Sequence, residues 1–376
     1  MALIQRLRIL HGKLHKERII LKGMTHRAVT TQNQDADDYP IDFVVTWVDG
    51  NDQAWREEKE QYWSRIHGGE VSTKGNGFER YRDWDQFMYW FRAVEMYAPW
   101  VRYVYLVTWG HVPKWLNLNH PKLRIIKHSD YIDREYLPTF QSIPIEVNLH
   151  RINDLSEHFV CFNDDTLLTS PVLPVDFFIG GVPKHCAIAY PVRNYAYNGP
   201  FAHQQFSVIG LLNDLPITKL IENNSEKWFN RVYGEDVRYN RYAFREDYLP
   251  GLFFNHLPYP LNKTTMTTVW ERFPQQMDQT CRHRFRTSTD ITTQIFTMYD
   301  MVTGNFIPVN KDYYGKLFGH LSTQANEVAD AIRSRQFKII CYNDSVDVTE
   351  ENFEEIRAVI ETALKDAFPN KSAFEL

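Results

Sequence analysis

The sequence predicts an α/β fold: a twisted, mostly parallel sheet flanked by helices, with an additional helical layer. Two observations carry this. Short β-branched and aromatic runs alternate with longer stretches of helical periodicity. Three of those runs also end in clusters of carboxylate and amide side chains. Ile41 to Val48 runs into Asp49-Gly50-Asn51-Asp52, His158 to Phe162 into Asn163-Asp164-Asp165, and Phe337 to Tyr342 into Asn343-Asp344. Ligands of open α/β sheets bind beyond the carboxyl ends of parallel strands. One such cluster alone is most simply a cap that starts a turn. Three with the same layout favour a site for a cation and an anionic ligand.

Residues 1–40 read as a basic amphipathic extension and linker. Leu3, Ile4, Leu7, Leu10, Leu14, Ile19 and Ile20 interleave at helical spacing with Arg6, Arg8, Lys13, Lys16, Arg18 and Lys22. Such a helix suits peripheral contact with an anionic membrane face, and equally packing on the domain or on a partner chain. Its charges interrupt the apolar core that a signal peptide needs, and no apolar run approaches a membrane span. The polar stretch 28–40 reads as the linker into the first strand.

The domain at 41–376 then follows in order. A helix starts near Gln53 and runs through Trp55, Tyr62 and Trp63. The Gly-, Ser- and Thr-rich loop from Gly68 to Gly77 is a candidate mobile lid. Asp85 to Tyr97 is a second helix, stopped before Pro99. Val101 to Thr108 and Leu123 to Lys127 are strands, and Ser142 to Ile152 is a helix leading into the Phe159 strand. This β-α-β-β-α-β order argues for a parallel sheet. Pro171, Pro174, Gly180, Gly181 and Pro183 then break the pattern, with a further strand at Cys186 to Tyr190. Helices at Phe201 to Leu212, Thr264 to Gln279 and Asp290 to Thr303 make a helical insertion over roughly 200–305. The last helix, Thr349 to Phe368, carries Phe353, Ile356, Val359, Ile360 and Leu364 on one face.

Net charge is −5, which leaves no global basic field and excludes nucleic acid as a partner. Cys161, Cys186, Cys281 and Cys341 show neither paired nor metal-type spacing, so a reducing, cytoplasmic compartment is expected.

Asn163-Asp164-Asp165 after a buried strand offers hard oxygen donors for Mg²⁺ or Mn²⁺, which would bridge diphosphate oxygens. Asp49 to Asp52 adds acceptors for ribose or base, and Gly50 lets the backbone approach a ligand closely. Arg282-His283-Arg284-Phe285-Arg286 is the densest cationic cluster of the main body: a phosphate clamp or a solvated helix end. Thr287, Ser288 and Asp290 follow at once and read as the cap of the next helix, whose N-terminus would favour an anion. His256 lies in the proline-held segment Asn255-His256-Leu257-Pro258-Tyr259-Pro260. A rigid loop presenting one imidazole suits a general base, although a loop histidine is more often solvated or structural. Glu146, His150 and Arg151 share a helical face, either to orient a ligand or as a plain polar surface.

Several blocks of this chain together resemble the signatures of the Stealth family of sugar-phosphate transferases. The first is Asp42-Phe43-Val44-Val45-Thr46-Trp47-Val48-Asp49-Gly50-Asn51-Asp52. The second runs from Ala98-Pro99-Trp100-Val101-Arg102 through Val107-Thr108-Trp109-Gly110, Pro113-Lys114-Trp115-Leu116-Asn117, Leu137-Pro138-Thr139-Phe140, Glu146 and His150-Arg151 to Asn163-Asp164-Asp165. The third is His256-Leu257-Pro258 with His283, Arg286, Ser288 and Asp290. The fourth is Tyr342-Asn343-Asp344 with Phe368-Pro369 and Ser372 to Leu376. The resemblance covers most of 41–376. It implies a fold like the GT-A glycosyltransferases and a dependence on a divalent cation, Mg²⁺ or Mn²⁺. Its activity would transfer hexose-1-phosphate or N-acetylhexosamine-1-phosphate from a UDP-sugar to a hydroxyl of an oligo- or polysaccharide. UMP would leave and a phosphodiester remain, in capsular or exopolysaccharide synthesis. In that scheme His256 is the base, with Asp165 and Arg286 beside it. Asp49, Gly50, Asn51, Asp52, Arg151, Asn163, His283 and Ser288 meet donor or substrate, and Asp164, Asp165 and Asp344 hold the metal.

Two other readings remain at this stage. One is a metal-dependent glycosyltransferase that releases UDP. The other is a non-catalytic carbohydrate-binding protein using Trp47, Trp109, Trp115 and Trp270.

Overall fold

The computed structural model of the chain describes residues 2–25, 39–68, 76–193, 200–344 and 346–376. The expected linker at 28–40 and the expected lid at Gly68 to Gly77 fall, apart from their ends, outside those residues. The strands are Ile41–Thr46 (β1), Val104–Thr108 (β2), Leu123–Lys127 (β3), His158–Asn163 (β4), Thr166–Leu168 (β5), Phe178–Ile179 (β6), Val182–His185 (β7), Tyr259–Asn262 (β8), Ile307–Pro308 (β9), Gly315–Phe318 (β10) and Ile339–Tyr342 (β11). The main sheet has the order β3-β2-β1-β4-β8, parallel except for the edge strand β8. Side chains of β1 alternate between two cores. Val44 joins Tyr105, Val107, Phe159 and Cys161 under the helical layer, while Phe43 and Val45 join Leu106, Val160 and Phe162 under the C-terminal helices.

Helices Ala2–Met24 (α1), Gln53–His67 (α2) and Phe87–Tyr97 (α3) lie where periodicity puts them, and Asp52 caps α2 by accepting from the Trp55 backbone N–H at 2.8 Å. Other expectations change. The third acid-tipped run is not in the main sheet: β11 pairs with β10 on one side and, antiparallel, with β5 on the other. Because β5 begins one residue after Asp165, the Tyr342 N–H donates to the Asp165 carbonyl at 3.1 Å. Cys186 to Tyr190 is not a strand. The buried Asn240 carboxamide takes the place of a neighbouring strand, accepting from Ala189 N and donating to the Ala187 carbonyl. The expected helix over Thr264 to Gln279 is two, Lys263–Arg272 and Pro274–Arg282, because Pro274 starts a new one. Ser142 to Ile152 is a short helix, Ser142–Val147, followed by a 3₁₀ turn at Leu149–Arg151.

At the amino end of the sheet Asp42 is wholly buried and fully bonded. Arg102 grips both its oxygens, and the backbone N–H groups of Tyr103 and Ser156 donate to it at 3.1 and 2.8 Å. The carboxyl terminus is fastened too. Glu375 holds Arg92 of α3 in a fork at 2.8 and 2.7 Å, and Asn117 N donates to the Phe374 carbonyl. Burial opposes the Glu375 charge, but Arg92 and Ser372 outweigh it and keep the carboxyl below the usual range. The last segment of the chain is therefore a clasp.

Arg102→Ala leaves Asp42 with only its two backbone donors, and urea unfolding is expected to show a loss of about 2–4 kcal/mol at unchanged m value. The Glu375 pair stabilises fully above about pH 4.3 and fades as pH falls through the depressed pKa. The stability deficit of Glu375→Gln should therefore narrow between pH 7 and pH 3; a constant deficit would show that the pair carries no charge-dependent stability.

Candidate active site

Strands β1 and β4 are neighbours in register, Thr46 opposite Asn163, so the two turns that follow leave the sheet side by side. The first turn spends part of its carboxylates on itself. Asp49 Oδ1 accepts from Asn51 N at 2.9 Å, and Asp52 Oδ1 caps α2. Gly50 is needed for close approach, but what it approaches is the Tyr81 carbonyl, 1.7 Å from where a Cβ would stand.

His256 enters from the segment that leads into β8, which β4 fixes by pairing Cys161 with Tyr259. Its Nε2 lies 3.1 Å from Asn163 Nδ2 and 3.3 Å from Asp165 Oδ2. A carboxylate facing Nε2 favours the proton on that atom, which requires Asn163 to present its oxygen there. Burial disfavours the imidazolium, yet the charge of Asp165 and the bond to it dominate, so the His256 pKa is raised. Desolvation likewise opposes the Asp165 charge, and His256 more than offsets it, so the Asp165 pKa is lowered. One atom each of Asp165, His256 and Cys341 lie within 4.8 Å of one another. Solvent reaches the Asp164 side chain, but protein crowds it; desolvation and the like charges of Asp165 and Asp83 push its carboxyl up to about 7.

Arg286 closes the other side. Its backbone N and O are held by the buried Asn76 carboxamide at 3.1 and 3.2 Å, its Nη2 is 3.4 Å from Ser142 Oγ, and its Nε is buried without a hydrogen-bond partner. Burial and the nearby Arg80 charge depress its pKa. An anion would satisfy this guanidinium.

Not every expected residue gathers here. His283 Nδ1 donates to Asp290 Oδ1 (2.7 Å), and its pKa is raised by that bond. Thr287 and Asp290 close a turn of their own while the next helix starts only at Gln294, so no helix N-terminus stands at 287–290. Ser288 is exposed on that turn. Arg151 pairs with Asp133 at 2.9 Å and lies over the Trp270 ring. His150 is turned toward Trp270, and Glu146 is buried against Thr293. The helical face read from their spacing is thus divided. Asp344 meets Arg82 at 3.4 Å and Trp84 at 3.1 Å.

Four regions of the chain match the models of Stealth conserved region 1 (residues 39–64), region 2 (80–185), region 3 (255–299) and region 4 (330–376). The chain is 37% identical over 342 residues to the receptor polysaccharide phosphotransferase WefC of Streptococcus gordonii, covering 89% of this chain and 99% of that one. It is 36% identical over 342 residues to the capsular polysaccharide phosphotransferase WcwK of Streptococcus pneumoniae, over 89% and 98%. To the exopolysaccharide phosphotransferase cps2G of Lactiplantibacillus plantarum it is 32% identical over 352 residues, over 90% and 96%. The chain belongs to the Stealth family. In Stealth terms, region 1 supplies the Asp49–Asp52 turn, region 2 Asn163 to Asp165, region 3 His256 and Arg286, and region 4 Cys341 and the clasp. Solved structures of the galactosyltransferase LgtC with donor and acceptor sugar analogues and of mouse xyloside xylosyltransferase 1 superpose with TM-scores of 0.37 and 0.34. Identity is 10% and 11%, over 84% and 82% of this chain and 95% and 100% of theirs. Likeness that distant carries no argument about the Stealth site.

Three contributors were missed in the sequence. Arg80 and Asp83 sit in a charged, aromatic stretch without periodicity, and both are felt electrostatically by site residues. His111 follows β2 after a turn at Gly110, whose φ of +149° suits glycine. Its Nε2 accepts from Asp49 N at 2.8 Å, so Nδ1 carries the proton, 3.8 Å from Asp52 Oδ2; burial lowers its pKa and keeps it neutral. The signal existed, since β2 ends on the same edge as β1. His111→Ala should loosen the Asp49–Asp52 turn and raise the donor KM by about ten-fold with kcat within about two-fold. Equal KM for variant and wild type would show that this turn does not hold donor.

Proposed function

We propose that this Stealth phosphotransferase moves hexose-1-phosphate, or the N-acetylhexosamine analogue, from a UDP-sugar to a hydroxyl of a carbohydrate acceptor, at the cytoplasmic face of a membrane during capsular or exopolysaccharide synthesis. The observation that carries the reading is the His256–Asp165–Asn163 group at the paired ends of β1 and β4, together with the partnerless buried Nε of Arg286, whose charge and that of His256 are both felt at Glu146. With Nε2 occupied, Nδ1 is the ring atom left to accept the acceptor's hydroxyl proton. The acceptor oxygen bonds to the β-phosphorus, the bridging bond to the α-phosphate breaks, and UMP leaves. Asp165 steadies the imidazolium as it forms. Arg286, with Arg80 nearby, faces charge on the phosphoryl oxygens.

The donor set fits a divalent cation. Asp164 and Asp165 are hard oxygen donors; desolvation, with the like charges of Asp165 and Asp83, pushes the Asp164 pKa up to about 7, and a bound cation would favour its charged form. The soft Cys341 thiol does not suit Mg²⁺, and the Oδ2 of Asp344 is met by Arg82 and Trp84. Mg²⁺ or Mn²⁺ held there would supply neutralisation of the donor diphosphate charge.

A panel of UDP-sugars with Mg²⁺ or Mn²⁺ and a carbohydrate acceptor should yield UMP and a ³¹P resonance of a phosphodiester. Release of UDP instead would make this a glycosyl transfer, and nucleotide sugar bound without turnover would leave only a binding protein. His256→Ala should lose about 10²–10⁴-fold in kcat with donor affinity largely kept; full activity would remove His256 from the role of base.

A further inference from the structure

Helix α1 lies ahead of the first conserved region, which begins at residue 39, and it carries two apolar faces. The inner one is used. Ile19 and Ile20 are buried, a Cβ on Gly23 would stand 2.2 Å from the Ser225 carbonyl oxygen, and Lys16 is tied to Asp247. The outer face is not covered. Leu10, Leu14 and Leu21 are 54%, 57% and 63% exposed. At about 100° per residue these three fall within about 40° of one another, on the side opposite Ile19 and Gly23. Exposed cations flank them on both sides: Arg6 and Lys13 along one edge, Arg18 along the other. Glu17 is the single acid of the helix, and Arg245 already neutralises it.

We propose that this outer face of α1 docks the enzyme on an anionic lipid surface, the leucines entering the acyl boundary and the flanking cations meeting lipid phosphates. A leucine stripe between two basic edges is the pattern of an interfacial helix whose cations snorkel. The same pattern argues against a second copy of the chain. Pairing two such faces sets a basic edge against a basic edge in either orientation, and that repulsion opposes the pairing. No helix among the described residues is long and apolar enough to cross a membrane, so this contact lies on the surface. The inference deepens the placement at a membrane face proposed above, but it rests on the surface of α1 alone and does not need the transfer chemistry.

The test is flotation of the full chain with vesicles of phosphatidylcholine, either pure or with about one quarter phosphatidylglycerol. Binding should be about ten-fold stronger to the anionic vesicles and should weaken at high salt. The triple variant Leu10→Ser, Leu14→Ser, Leu21→Ser should lose most of it, and Arg6→Gln, Lys13→Gln, Arg18→Gln should lose the preference for anionic lipid. Every substituted side chain is exposed, so thermal unfolding should be unchanged and will verify that the variants fold. Turnover of a soluble acceptor should also stay at the wild-type rate. Equal flotation of wild type and the leucine variant overturns the proposal. A wild-type dimer that the leucine variant converts to monomer, with no vesicle binding by either, would assign the stripe to a second copy and overturn it too. Should UMP release fail while flotation follows this pattern, the chemistry is wrong and the docking stands.

Discussion

The register that sets Thr46 of β1 opposite Asn163 of β4 is the constraint on which the site depends. Parallel pairing makes both strands end at one edge, and a slip of one residue would turn every alternating side chain into the opposite core. That slip is blocked from both faces, because Val44 belongs to one core while Phe43 and Val45 belong to the other. It is also blocked at the amino end. Asp42 bonds to backbone donors on the chain after α3 and on the chain before β4. One buried carboxylate thus ties together three successive neighbours of the sheet, and the acid turns emerge together at the far edge.

The two ends of the sheet treat negative charge in opposite ways. At the amino end four hydrogen bonds satisfy a single carboxylate. At the carboxyl end Asp164, Asp165 and Asp83 crowd one another, and Asp165 is answered by His256 and the Cys341 thiol. Arginine charge stands near but is not spent on those acids: Arg286 keeps a buried Nε without a partner. Separated, unneutralised charges of both signs are costly in a folded chain unless a ligand carrying both a cation and phosphate completes them.

Much of this was legible in the sequence, because local pattern determines it. β-branched runs located β1, β2, β3 and β4, the apolar stripe located the final helix, and prolines around His256 marked a rigid loop. What was not legible was mostly settled by contacts between distant segments. Nothing in Phe337 to Tyr342 says that its partner is β5 rather than the main sheet. Asn240 replaces a strand only once the helical layer has folded over Ala187 and Ala189. The spacing of Arg151 from Glu146 leaves open whether the face is polar surface or ligand contact, and only the fold shows its partners to be Asp133 and the Trp270 ring. His111 shows the reverse case, a position that strand topology points to and residue type alone does not.

The pairing of β5 with β11 makes the frame of the site a late addition to the chain. The turn bearing Asp164 and Asp165 is made before half of the chain has left the ribosome, yet the strand that secures the Asp165 carbonyl ends at Tyr342. The Glu375 fork onto Arg92 comes later still in the chain. A nascent or prematurely terminated chain therefore carries all the site's acids without the frame that aligns them. The alignment of that turn is thus a property of segments far apart in the sequence, gained only when β11 and the Glu375 segment have joined the fold.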